Sequence, residues 1–251
     1  MEGNNKSFYN NKCVIEFIDD GRVRKAFYNK NRNYKEFNFL QTLHTIFPGK
    51  KVGEWCLKVV KPLDYLGEKQ GFVMEKANGK TLDKYYRNNK DVFYCAGVWL
   101  AYFHKALKKD SNILSFGDFH RNNLLIDKKS KKIIAIDPNP EAAFKHSQEY
   151  DFYSMINSII NGALKHFMFP KRFINEFLNG YASVKKIPFL DREQINIISN
   201  HYLRKRAKKI QKTRFILKAP HAASNLLVKV YLQIYVNKKI ENTMKSGDEN
   251  E

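Results

Sequence analysis

Apolar residues recur along this chain in two different rhythms. Near the start they come in short runs, Val14 to Phe17 and Val23 to Tyr28, joined by Asp19-Asp20-Gly21, and this pattern predicts a β-hairpin. Alternation along the second strand puts Val23 and Lys25 on one face. Tyr34, Phe37, Leu40 and Leu43 then recur at helical spacing around Glu36. Another apolar strand, Gly71 to Met74, ends at Glu75 and passes through Ala77 and a turn at Gly79 into a helix start. Beyond it the helical rhythm dominates. Phe93, Ala96, Leu100, Phe103 and Leu107 mark a helix over 92–107, on which His104 reads as a surface or packing residue. Phe152, Met155, Ile156, Ile159 and Ile160 mark another helix led by Asp151, an acidic residue suited to a first helical turn. Further helices are predicted over 172–182, from Asp191 with Gln194 as a capping pair, and over 222–239. The expected class is α+β, with a strand-rich part over 1–75, a larger helical part over 76–251 and a cleft between them.

One hairpin interrupts the helical half. Leu124-Leu125-Ile126 and Ile133 to Ile136 are apolar runs separated by the polar turn Asp127 to Lys132. Asp118 and Asn123 lie on the loop that enters this hairpin, and Asp137 lies at its exit. Phosphoryl transfer from a Mg-nucleotide needs this set of groups near one point: an acceptor for a hydroxyl proton and two oxygen ligands for the metal. The competing reading makes Asn122, Asp127 and Asn139 ordinary turn formers, because Asx side chains bond local backbone.

The stretch Gly117-Asp118-Phe119-His120-Arg121-Asn122-Asn123 resembles the Gly-Asp-x-His-x-x-Asn loop of the kinase-like phosphotransferases, and in particular its small-molecule and lipopolysaccharide-core branches. That resemblance implies a bilobal protein kinase-like fold, with a small antiparallel-sheet lobe carrying one helix and a mainly helical second lobe. It also implies ATP and Mg2+ as cofactors. By position, Asp118 matches the catalytic acceptor, and Asn123 and Asp137 match the metal ligands. Lys25 matches the phosphate-binding lysine, Glu36 its helix partner and Val23 the apolar cover of adenine, although Arg24 and Lys35 stand beside them in sequence. Met74, Glu75 and Ala77 match the hinge whose backbone reads the adenine edge, so the identity of Glu75 should matter little. Asp151 resembles an aspartate that steadies the catalytic loop from below. Two features depart from protein kinases. Residues 7–12 contain no glycine where a Gly-rich loop would cover phosphates, and Asp137 is followed by Pro138-Asn139, as in certain antibiotic and fructosamine kinases.

Charge narrows the partners. Lys and Arg number 45 against 25 acidic residues, a net +20. Eight of these cations lie among apolar residues over 201–218, which suits an anionic membrane surface or an acidic substrate, or else a plain solvated face; no nucleic-acid motif accompanies them. Cys13, Cys56 and Cys95 have no metal-binding spacing and read as reduced packing residues. The first residues lack the apolar core of a secretory signal, so the expected compartment is the cytoplasm, and the inner face of a membrane is the alternative if 201–218 binds lipid. Among acceptors, a lipopolysaccharide-core sugar fits the short basic chain. An aminoglycoside fits Ile136-Asp137-Pro138 and Leu178-Asn179-Gly180-Tyr181, but that polycation calls for an acidic pocket. A Ser/Thr protein kinase and a kinase-like binding module without catalysis are the remaining readings.

Overall fold

The computed structural model describes residues 7–9, 12–18, 21–87, 91–107 and 113–188. The helices expected from Asp191 and over 222–239, and the basic segment 201–218, lie outside these residues. Strands β1 (Ser7–Tyr9), β2 (Cys13–Ile18) and β3 (Arg22–Phe27) form an antiparallel run, and Gly21 turns the β2–β3 hairpin at φ +83°. Helix α1 (Lys30–Ile46) follows, then β4 (Lys50–Val52), β5 (Trp55–Val59), β6 (Pro62–Gly67) and β7 (Gly71–Glu75). β7 pairs with both β3 and β6, completing a five-stranded sheet in the order β1-β2-β3-β7-β6.

After β7 the chain forms the short β8 (Lys80–Thr81) and a 3₁₀ turn (Leu82–Tyr85), where the sequence pattern suggested a helix start. Helix α2 (Asp91–Ala106), hairpin β9 (Leu124–Asp127) and β10 (Lys132–Ala135), and helices α3 (Pro140–Ala143), α4 (Gln148–Lys165) and α5 (Pro170–Ala182) complete the order. A second sheet, β4-β5-β10-β9-β8, has β10 parallel to β5. It therefore takes strands from both sides of residue 75 and joins the two halves of the chain.

Close packing ties the described helices together. Helix α4 buries residues all round, from Tyr150 to Ala163, so it forms an axis of the core and not a surface helix. Helices α2 and α5 cross closely at glycine: a Cβ at Gly97 would lie 2.1 Å from the Phe177 carbonyl oxygen, and one at Gly180 would lie 2.0 Å from that of Tyr94. Trp99, Phe103, Phe116 and Phe119 form an interlocked aromatic group, with Trp99 stacked on Phe119 at 4.9 Å between ring centroids. The Trp99 indole N–H donates to the Lys58 carbonyl at 3.2 Å, tying α2 to β5.

Candidate active site

The loop carrying Asp118 is held from three directions. Phe116 and Phe119 flank Gly117-Asp118 and are fully buried in the aromatic group, so the two residues between them are pinned at the surface of the core. From below, the buried Asp151 carboxylate accepts the backbone N–H of Gly117 at 3.0 Å and that of Phe116. Asp151 does occupy the first turn of α4, as its acidic character suggested, and from there it caps the loop. On the far side the Asn139 N–H donates to the Phe116 carbonyl at 3.2 Å. Gly117 sits at φ +85°, and a Cβ there would lie 2.2 Å from the Asn139 carbonyl oxygen, so only glycine fits.

Asn123 ties this loop to the hairpin exit. Its side-chain N–H groups donate to the Asp118 carbonyl at 3.0 Å and the Asp137 carbonyl at 3.2 Å. Its backbone is held as well, donating to His120 O and accepting from Ile136 N–H, both at 2.9 Å. The amide oxygen of Asn123 is thereby turned away from both carbonyls, and no described hydrogen bond uses it. Asp137 takes φ +57°, a left-handed conformation that is costly outside glycine, Asn and Asp, and its side chain is 44% exposed. The neighbouring Asx residues behave as turn formers: Asp127 caps its hairpin turn through Ser130 and the Lys129 N–H, and Asn139 caps α3 through the Ala142 N–H. The three residues of the candidate site are distinct from them.

Lys25 closes the arrangement from the first sheet. It is 3% exposed, and its ammonium contacts Glu36 Oε1 and Asp137 Oδ1 together. Strand and helix are set for this meeting by the buried Asn33, one turn before Glu36, which accepts the Phe27 N–H at 2.7 Å and donates to Glu68 O at 2.6 Å. Burial alone would lower the Lys25 pKa, yet Glu36 and Asp137 outweigh it and hold the amine above its ordinary value. Burial pushes Glu36 up, with Lys25 opposing. Burial also favours a protonated Asp137, but Lys25 wins and leaves that carboxyl below its usual range. The adjacent alternatives fall elsewhere: Arg24 pairs with Glu16 at 2.8 Å on the other face of β3, and Lys35 is exposed.

Asp118 faces outward, 37% exposed at its side chain, with His120 Nε2 at 3.7 Å from Oδ1. Burial keeps His120 below its ordinary pKa, against the pull of both Asp118 and Asp137. Met74, Glu75 and Ala77 lie on and beyond the neighbouring strand, with Met74 opposite Val23 and Phe72 opposite Lys25. No described hydrogen bond or ion pair joins their side chains to Lys25, Glu36 or Asp137. The Glu75 carboxylate instead binds Lys58 Nζ with both oxygens at 2.8 Å and accepts the Lys61 N–H at 2.8 Å.

Several supporting residues were not visible from local pattern. Arg121 donates through Nε to Asp83 Oδ1 at 2.6 Å and through a terminal nitrogen to Ser158 O at 2.6 Å, bolting the loop to the 3₁₀ turn and to α4. Lys165 joins the same carboxylate at 3.0 Å. Although burial opposes ionisation of Asp83, the bonds from Arg121 and Lys165 hold its pKa low. Of the two roles open to His104 in the sequence, surface or packing, it has the packing one: it is buried, shares a 2.9 Å hydrogen bond with the Tyr181 hydroxyl and places Nε2 3.6 Å from Asp151, partners that local pattern did not show. Arg121 within the loop was the only local hint of these contacts, since its partners lie 37 and 38 residues away in sequence.

No protein-family model and no curated protein matches the chain. Solved structures do match in fold. An amicoumacin kinase in complex with AMP-PNP, Ca2+ and its antibiotic is 12% identical, with 91% of this chain and 89% of that one covered at a TM-score of 0.53. A glucosamine kinase in complex with glucosamine, ADP and inorganic phosphate gives 10%, 96%, 82% and 0.55 for the same quantities. An ethanolamine kinase from Plasmodium vivax gives 9%, 92%, 83% and 0.51. At such identities the likeness is one of fold, and it makes this chain a bilobal, protein kinase-like α+β structure.

Proposed function

We propose that the protein transfers the terminal phosphoryl group of ATP to a hydroxyl of a small, sugar-like acceptor. The observation that carries this reading is the convergence of Lys25, from the first sheet, on Glu36 and Asp137, with Asn123 binding the Asp118 and Asp137 backbones together. Residues 1–75 would supply the nucleotide platform and the rest of the chain the catalytic loop. Lys25, steadied by Glu36, faces the phosphate oxygens; Val23 covers the base, and the backbone from Glu75 to Ala77 meets its edge. Asp118 orients the acceptor hydroxyl and takes its proton.

A divalent cation fits the donors present. The free amide oxygen of Asn123 and the open oxygen of Asp137 are hard ligands of the kind Mg2+ accepts alongside phosphate oxygens. Bound there, Mg2+ would neutralise charge on the transferred group. Among the described residues no cluster of three or more His, Cys, Asp or Glu could hold a metal by itself.

Glucosamine, amicoumacin and ethanolamine, after which the three like-folded kinases are named, are all small molecules. The net charge of +20 favours an anionic acceptor over a polycationic drug, so a phosphorylated lipopolysaccharide-core sugar is preferred and an aminoglycoside is second. Purified protein should be incubated with labelled ATP and Mg2+, first with a cell-envelope extract and then with aminosugars. Label in an envelope sugar supports the reading, label in an aminosugar shifts the acceptor, and no transfer to any hydroxyl with Asp118 intact rejects it.

A further inference from the structure

The connection between α4 and α5 has an unusual surface. Phe167 is 96% exposed and Phe169 is 90% exposed, while Met168 between them is packed against the core. Phe167 also takes φ +56° just past the helix end, a position where glycine is the usual occupant and a bulky side chain is strained. The loop is nevertheless fixed on both sides. Phe167 N–H donates to Leu164 O at 3.1 Å and Met168 N–H to Ala163 O at 2.8 Å, the His166 ring stacks on Tyr86, and Pro170 begins α5. Two phenylalanines are thus held out in water on a rigid tip, with water contact that burial against an apolar phase would remove.

The surrounding charge indicates what that phase is. Lys165, Lys171 and Arg172 flank the tip, Lys165 bonding the Asp83 carboxylate at its base and Arg172 lying over the Phe173 ring, and no acidic residue occurs in sequence from 152 to 175. Interfaces with other proteins are depleted in lysine, whereas an anionic lipid surface attracts flanking cations and accepts aromatic rings at headgroup level. Two rings on a loop tip between helices reach the headgroup layer of a bilayer. We infer that Phe167 and Phe169 form a wedge that inserts into the headgroup region of an anionic bilayer, with the flanking cations on the phosphates. These residues are distinct in sequence from the basic segment 201–218, and the wedge does not depend on the transfer chemistry. The base of the tip is joined to the catalytic loop, because Lys165 and Arg121 bind the same Asp83 carboxylate.

The test uses the full chain, vesicles of phosphatidylcholine alone, and vesicles of phosphatidylcholine mixed with phosphatidylglycerol. The protein should co-sediment with the mixed vesicles. The Phe167→Ser/Phe169→Ser variant should keep its melting temperature and lose at least about tenfold in partitioning. Phe167→Trp, read as a difference from the wild-type spectrum, should shift to the blue on mixed vesicles and be quenched by brominated lipid. Equal partitioning of the double serine variant, an unshifted Trp at 167, or a self-associating protein that Phe167→Ser converts to monomer would each overturn the wedge.

Discussion

Replacing Asp151 tests the contact that holds the Asp118 loop in place. Its two oxygens accept the Phe116 and Gly117 N–H groups in a fully buried setting, and no other described acceptor serves those donors. Hydrogen bonds to a charged group contribute about 1.5–3 kcal/mol each after exchange with water, so Asp151→Ala should cost about 3–6 kcal/mol. Asp151→Asn keeps one acceptor oxygen and sets an amide N–H against the second donor, which puts its cost near 2–4 kcal/mol. A domain has about 5–15 kcal/mol in total, so the asparagine variant should remain folded while the alanine variant stands near its limit. Urea unfolding at neutral pH measures both losses. In the asparagine variant kcat should fall more than nucleotide affinity, because Asp118 shifts while Lys25, Glu36 and Asp137 keep their own contacts. A loss below about 1 kcal/mol for Asp151→Ala would refute the reasoning, since two buried N–H groups cannot be left unpaired so cheaply.

Other residues give further expectations. Gly117→Ala forces a Cβ to 2.2 Å from the Asn139 carbonyl in a left-handed backbone, so it should destabilise by more than about 1 kcal/mol in urea and depress transfer. Burial lowers the His104 pKa, so the unfolded chain binds the extra proton; the stability from His104 is full above about pH 6.5 and is lost as pH falls through its lowered folded value. His104→Gln should therefore flatten the acid limb of the melting curve in that window, and an unchanged limb would contradict it. The low pKa of Asp83 means its contribution is present above the ordinary carboxylate range and lost as pH falls through the folded value. A double-mutant cycle of Asp83→Asn with Arg121→Gln should show coupling of at least about 1 kcal/mol near neutral pH, and coupling close to zero would contradict the bolt.

What local pattern could read was local. Asp118, Asn123 and Asp137 stood out because a hairpin of apolar runs, with polar residues at its mouth, brings them together over a short stretch of chain. Lys25 could be told from Arg24 only by alternation, and the structure separates them by sending Arg24 to Glu16. The parallel pairing of β5 with β10 joins residues more than 70 apart and has no sequence signal of its own. Asp83, His104 and Tyr181 are likewise invisible to periodicity, which marks a buried face but does not say which polar group will meet another inside it. Asn33 shows the same limit: it occupies the buried side of α1, where a search for apolar residues passes over it.

In the proposed function, Asp137 and Asn123 complete a metal-nucleotide site opposite Lys25. Calorimetric titration of ATP into the wild-type protein and Asp137→Ala, each with and without Mg2+, tests it most directly. The wild type should bind ATP more tightly when Mg2+ is present, and the variant should lose that enhancement. Equal dependence on Mg2+ in both proteins, or none in the wild type, would contradict the account.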